Sequence, residues 1–432
     1  MDTRPLNHIA LALDHARSQG AVGAEGYLAV WTGCRVECQG GRPSLFPDDG
    51  AKLVGRVYVD GGGCGLFSVS AITEARITAA VGRAVKAAFS APPDPYAGPA
   101  ERYDYTPTGG GLDDPRHEIV ADDDRIEVVA NNLKAVQSDQ TRGVSCTYND
   151  RRTLRTFASS RGVSSSYSET TYSLTITGER QDGAWRTTHT ERGRAFAGVG
   201  SLPFGIAIRR RINGLSKEIS LPDEELSICL PPRVMAQILS ALAPGFDSRA
   251  VAAGRSWAAG TDRLASKRIH LIDDGSVPGS PRTVVFDERG VPPMPMPVIR
   301  EGMPAGQYHS PETARLAGIR PTGHVVGGDI RRSNLVLRAG NRSRTQMLGE
   351  LPWAVLLDRL VGTIDPVTGK IDASGPAHVL ERGKPIGHVP DFTLRGDCRD
   401  LLKGVVEISS DQERHLDVDC ATTVVQGFPT KG

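Results

Sequence analysis

Residues 271–290, LIDDGSVPGSPRTVVFDERG, place Asp273, Asp274, Asp287 and Glu288 in one segment rich in proline and glycine. Clustered carboxylates are the ligand type that a hard cation such as calcium takes. An EF-hand loop, however, needs acids or amides at its first, third and fifth positions and Gly at the sixth. Counted from Asp273 the third position is Gly275, and from Asp274 it is Ser276; Pro278 and Pro281 also oppose that loop geometry. The segment therefore reads as a strand, a β-turn and a second strand, with acids in exposed turns and prolines setting the bend.

Other chemistries fare no better on residue types and spacing. No G-x-S-x-G nucleophile elbow occurs. The 10 histidines are scattered, no two of them four or five apart, and no H-E-x-x-H is present to bind zinc and supply a base. Cys64, in the glycine-rich turn DGGGCG, is the most reactive-looking thiol, but a nucleophilic cysteine needs a histidine that the sequence does not place beside it. That turn lacks the Lys-Ser/Thr of a P-loop and reads as a hairpin. Cys34 and Cys38 have no second pair at zinc-ligand spacing. An odd total of 7 cysteines argues against a disulfide framework, which leaves free and mostly buried thiols.

The elements that must position these residues follow from periodicity. Leu6, Ile9, Ala10, Leu13 and Ala16 predict a helix over 5–19, ended by Gly20; Ile77, Val81, Val85 and Phe89 predict one over 73–89. A third helix is predicted over 122–137, and a short one over 231–243 with Val234, Met235, Ile238, Leu239 and Leu242 on one stripe. EGYLAVWTG and CRVECQGGRPSLFP read as short strands, and residues 143–196 as antiparallel hairpins. The Arg209–Arg211 run reads as a solvated strand edge. After an acidic turn, LPDEELSI, the second half carries many strand-like runs. The pattern is α+β, with an N-terminal helix-plus-sheet domain over 1–220 and a strand-rich C-terminal domain over 221–432.

Across 432 residues, Lys+Arg 51 against Asp+Glu 50 leaves a formal charge of +1, so no electrostatic case for nucleic acid or an anionic membrane arises. The start lacks the h-region of a signal peptide. No run approaches the roughly 18–20 apolar residues of a membrane span. A cytoplasmic protein is expected.

From Gly254 onward, GRSWAAGTDRLASKRIHLIDDGSVPGSPRTVVFDERG resembles the core signature of the TldD/PmbA family, also called TldD/TldE or "modulator of DNA gyrase": a G-x-S with an aromatic, an apolar strand, DDG…PG, and a D-x-E-G turn. VIREGMPAGQYHSPETARLAG, PTGH, SNLVLRAG and the VTGKIDASG region follow in the family's order, and YVDGGGCGLFSVSAITEARITAAVGRAV resembles its front half. Nearly the whole chain is covered. The sequence departs from the pattern at Arg289 and His324.

The resemblance implies an α+β fold and a heterodimer of related subunits. One subunit carries an H-E-x-x-x-H helix whose histidines, with a cysteine near the C-terminus, bind zinc for a metallopeptidase acting on unfolded or leader peptides, or in some relatives on small amides. Here that helix falls at LSALAP, where Leu239, Ser240 and Pro244 occupy the His, Glu and His positions, although Cys420 remains. Leu and Pro offer no ligand atom and Ser cannot replace a carboxylate base. The chain is thus expected to be a PmbA/TldE-like subunit without a metal or other cofactor of its own, partnered by a TldD-like zinc subunit around a peptide or small amide. Asp273, Asp274, Asp287 and Tyr308 are candidate substrate or partner contacts. Two alternatives remain: an autonomous amide or C–N hydrolase of specialised metabolism using His309 and His324, and a non-enzymatic regulatory binding protein.

Overall fold

A computed structural model describes residues 4–103, 111–183, 185–214, 217–221, 225–260 and 262–431. Of the chain, 25% is helical and 37% lies in strands, an α+β architecture. It divides into two compact units. The first comprises Met1–Arg209, Gly275–Met294 and His309–Arg331, and the second Arg210–Asp274, Pro295–Tyr308 and Arg332–Gly432. Residues 275–294 and 309–331, which lie beyond the expected boundary at 220/221, therefore fold with the first unit.

In chain order the first unit begins with α1 (Arg4–Ser18), β1 (Gly23–Gln39), β2 (Gly50–Tyr58), β3 (Cys64–Val69) and α2 (Glu74–Ser90). It continues with α3 (Asp122–Val136), β4 (Thr141–Ser159), β5 (Ser164–Arg180) and β6 (Arg186–Gly193). The strands form an antiparallel sheet in the order β3-β2-β1-β4-β5-β6. Alternation along β2 sends Leu53 and Val57 to one face, where Ile9 of α1 and Ile77, Val81 and Val85 of α2 complete an apolar core. Each such side chain contributes about 1.5–3 kcal/mol by leaving water. Phe89, expected on the same side of α2, is 60% exposed, because the helix's last turn carries it past the core to lie over Gly20. EGYLAVWTG and CRVECQ are one continuous strand rather than two.

Helix α4 (Gly205–Asn213) follows, and it contains Arg209, Arg210 and Arg211. The arginine run is thus helical and not a strand edge. Ile208 and Ile212, four apart, are both buried, a helical spacing that decided the local structure.

The second unit contains β7 (Ser227–Leu230), α5 (Pro232–Leu242), β8 (Leu271–Asp273), β9 (Met296–Arg300), β10 (Leu335–Leu337), β11 (Trp353–Leu357), β12 (Lys370–Glu381), β13 (Lys384–Asp397), β14 (Val405–Ile408), β15 (Val418–Cys420) and β16 (Thr423–Val425). One sheet runs β14-β16-β7-β11-β12-β13, and another β9-β8-β10-β15. The pairs β7–β11 and β10–β15 are parallel. The acidic turn expected before β7 includes residues 222–224, which lie outside the described residues.

The 271–290 segment corrects the expectation most. Only Leu271–Asp273 is a strand; TVVFD is not. Residues 275–294 instead cross the face of the first unit's sheet opposite α1 and α2. Phe286 packs there against Tyr27, Phe157 and Tyr167, with T-shaped contacts to Tyr27 at 6.4 Å and Tyr167 at 5.0 Å. Its acids are not in exposed turns either: Asp273 and Asp287 are 0% and 4% exposed.

Candidate functional site

Helix α5 starts at Pro232, whose missing N–H is harmless in a first turn. Val234, Met235, Ile238, Leu239 and Leu242 all face inward and are buried. The helix must then stop, and the G-x-S-aromatic signature stops it. Trp257 Nε1 donates to the Leu242 carbonyl at 2.7 Å, and Ser256 Oγ donates to the Gly245 carbonyl, satisfying acceptors left open at the helix end. Phe246 stacks edge-on against Trp257 at 5.6 Å and against Tyr308 at 6.3 Å.

On this helix Leu239 is packed in the core and Pro244 lies exposed in the following 3-10 turn. Ser240 Oγ accepts a hydrogen bond from Arg332 Nη2 at 2.8 Å, and the same nitrogen donates to Asp417 Oδ1 at 2.7 Å. The Cys420 thiol is buried and donates to the Pro232 carbonyl at 3.2 Å. Burial first, and then Asp419, push its pKa up to about 12, so without a metal it is a neutral thiol. The donor set does not fit a zinc ion. Leu239 and Pro244 carry no ligand atom, a single cysteine cannot complete a tetrahedral site, and a guanidinium in contact with Ser240 repels a dication. Among the described residues no group of three or more His, Cys, Asp or Glu is gathered as metal ligands.

The other sequence-derived residues separate into two places. In the second unit, buried Asp273 accepts from the Tyr308 hydroxyl at 2.9 Å and from Ser333 N at 2.9 and 3.1 Å. Burial first and then Asp273 raise the Tyr308 pKa well above its ordinary value. Asp274 joins β8 to Asn334: its N–H donates to the Asn334 carbonyl at 2.8 Å, and its own carbonyl accepts from Asn334 Nδ2 at 2.9 Å. These side chains hold the strand ends together within the chain.

In the first unit, Asp287 accepts from three backbone N–H groups: Arg289 at 2.8 Å and Val291 at 3.0 Å on Oδ1, and Val325 at 2.8 Å on Oδ2. Burial still dominates and raises its pKa to about 6. His309 is half-buried and pairs through its backbone with Thr322, whose N–H donates to the His309 carbonyl at 3.1 Å and whose Oγ1 accepts from His309 N at 2.9 Å. His324 is 1% exposed, and its carbonyl accepts from Arg331 N at 2.8 Å. Cys64 is half-buried, and burial raises its thiol pKa, the opposite of an activated nucleophile.

Comparison with known proteins places this arrangement. Residues 223–432 match the model of the PmbA/TldA metallopeptidase C-terminal domain. The metalloprotease PmbA of Escherichia coli O157:H7 is 24% identical over 372 residues, covering 82% of this chain and 80% of its own. TldE from Thermococcus kodakarensis shares the fold with a TM-score of 0.86 at 18% identity, over 98% of this chain and 100% of that one. A Bacteroides thetaiotaomicron protein described as a modulator of DNA gyrase superposes with a TM-score of 0.87 at 17% identity, over 100% and 99% of the two chains. Residues 223–432 thus match the PmbA/TldD family's C-terminal domain, and the chain as a whole is similar to TldD/PmbA proteins.

Against the TldD/PmbA signature, Arg289 stands where an acid is expected, and the structure shows what accommodates it. Arg289 is 2% exposed; its Nε donates to Glu25, its Nη1 to both Glu312 oxygens at 2.7 and 3.0 Å, and its Nη2 to the Tyr58 hydroxyl at 3.0 Å. A reversed charge is thus met by two acids from elsewhere in the unit. Sequence reasoning missed Arg332, Asp417 and Glu25, and no local pattern marks them. The only available signal for Arg332 was a second arginine beside it, ahead of an apolar strand.

Proposed function

We propose that this chain is a zinc-free, TldE/PmbA-like subunit of a two-chain hydrolase of the metallopeptidase type. A TldD-like partner would supply the metal, its His and Cys ligands and the general base. This chain would complete the chamber for peptide or peptide-like substrates, in the cytoplasm. The observation that carries the reading is the contact of Arg332 with Ser240 on α5. It sets a permanent cation against the helix position at which the family's catalytic subunits need a carboxylate, between Leu239 and Pro244, which cannot ligate.

The reading has a mechanistic consequence for this chain's own residues. Without a base or metal ligands on α5, they cannot activate water; they can bind, orient and enclose. Extended peptide backbone can add to a sheet edge, a mode that reads main chain more than side chain and suits varied sequences.

The test is expression of this chain alone and together with an H-E-x-x-x-H relative, followed by zinc analysis and peptidase assay of each product. Stoichiometric zinc and peptide cleavage confined to a stable mixed complex support the proposal. Zinc bound by the isolated chain, or chelator-sensitive cleavage by it, would overturn it and favour an autonomous hydrolase.

A further inference from the structure

We propose that the first unit holds a binding site for a small carboxylate with an apolar body, unrelated to the helix α5 region. A cavity of about 300 Å³ opens on the face of the sheet opposite α1 and α2. That volume is at the low end of the usual ligand-site range. The register of three strands builds its floor. Lys52, Val54 and Arg56 alternate along β2 to the same face, with Tyr27 opposite Val54 and Glu25 opposite Arg56 on β1, and Leu66 opposite Arg56 on β3. Gly55 lies between them, and the Phe67 ring fills the space that a side chain there would need.

The charge pattern decides which ligand this floor suits. Glu25, Glu288, Lys52, Arg56 and Arg289 all line the cavity. Both acids are already engaged. Glu25 accepts from Arg289, from the Tyr58 hydroxyl at 3.1 Å and from Ala100 N at 2.7 Å, while Glu288 accepts from Gly327 N at 2.7 Å. Arg289 is likewise fully engaged. That leaves Lys52 and the half-buried Arg56 as the two cations with no hydrogen-bond or ion-pair partner among the described residues.

The half-buried Arg56 shares the cavity lining with Tyr27, Val54 and Leu66 and feels Glu312 only through space, so a planar carboxylate can supply the two parallel bonds that it lacks. Leu66 is 65% exposed, so an apolar body resting on it removes surface that otherwise faces water. Inorganic phosphate shares the anion chemistry but has no body for the apolar wall, which is why the inference commits to a carboxylate.

Titration calorimetry of the full chain with phenylacetate, with its neutral analogue phenylacetamide and with inorganic phosphate tests this. Saturable phenylacetate binding is expected, weakened about tenfold or more by Arg56→Gln, which corresponds to 1.4 kcal/mol or above. Lys52→Gln should weaken it to a smaller degree, and the amide should bind at least about tenfold more weakly than the acid. Both variants should stay folded with a midpoint near that of wild type, because Lys52 has no ion pair among the described residues and Arg56 gives up only a through-space attraction to Glu312. Equal affinity for acid and amide, unchanged affinity in Arg56→Gln, tighter binding of phosphate than of phenylacetate, or no saturable binding would each overturn the inference. The result is independent of whether the chain is a zinc-free subunit, since no part of α5 is involved.

Discussion

Arg332 Nη2 donates to Asp417 Oδ1 at 2.7 Å, and the two side chains are 9% and 4% exposed. The pair connects the start of β10 to the segment leading into β15, beside Ser240 of α5, within the second unit. Burying two charges is worthwhile only when each meets the other in good geometry.

Arg332→Met should therefore destabilise the protein by about 3–5 kcal/mol, because Asp417 keeps its charge in a poorly solvated place. The double change Arg332→Met with Asp417→Leu should recover most of that loss. Urea unfolding of the three proteins measures both effects. A single-variant loss below about 1 kcal/mol would mean that the pair is solvated, as an ordinary surface pair is.

Asp287 predicts a pH dependence. Its folded pKa of about 6 lies above the ordinary 3.8 because burial disfavours the carboxylate. The folded state therefore binds the proton more tightly than the unfolded chain does. Its stabilising contribution is full below pH 3.8 and falls as pH rises to about 6, with a slope of at most about 1.4 kcal/mol per pH unit. Asp287→Asn removes this titration and exchanges one acceptor oxygen for a donor that faces Val325 N–H or Arg289 N–H. The stability advantage of wild type over Asp287→Asn should shrink between pH 4 and 6, as followed by urea unfolding at several pH values. A difference that stays flat or grows over this interval contradicts the assignment.

Thiol reactivity gives a second chemical readout. Of seven cysteines only Cys64 is half-buried, and the rest are buried. Burial pushes Cys34, Cys146, Cys229, Cys398 and Cys420 up to about 12. In native protein iodoacetamide should modify Cys64 first and slowly, since its own thiol is also raised by burial. Cys420 should react only after unfolding. Peptide mapping by mass spectrometry checks the order, and early modification of Cys420 would show that its thiol is open.

Arg289 supplies the sharpest substitution. Arg289→Glu restores the family's acid at that position yet sets a third carboxylate beside Glu25 and Glu312 in a buried site. We expect a loss of about 3–5 kcal/mol or failure to fold. Arg289→Lys, which cannot form the fork to Glu312 while reaching Glu25 and Tyr58, should be intermediate and remain measurable by denaturant unfolding. Wild-type stability in Arg289→Lys would show that charge alone suffices.

Periodic elements were legible in the sequence because apolar spacing is a local property. The helices expected over 5–19, 73–89 and 231–243 run Arg4–Ser18, Glu74–Ser90 and Pro232–Leu242. The arginine run at 209–211 misled because three charges in a row carry no period, whereas buried Ile208 and Ile212 do. The loop at 275–294 misled for another reason. TVVFD has the composition of a strand, yet Phe286 found an aromatic pocket on a sheet formed far earlier in the chain, and tertiary packing overrode propensity.

The candidate site divides along the same line. Residue identities at 239, 240 and 244 already showed that α5 carries neither histidines at the two positions the resemblance assigns to zinc nor a carboxylate at the position it assigns to the base, since a missing donor atom needs no coordinates to establish. What stands there instead was decided by the path of the chain. Arg332 reaches Ser240 across 92 residues, Arg289 reaches Glu25 across 264, and Asp273 meets Tyr308 across 35. Such pairs depend on which strands become neighbours, and strand neighbours are selected by burial over the whole unit and not by any local run of residues.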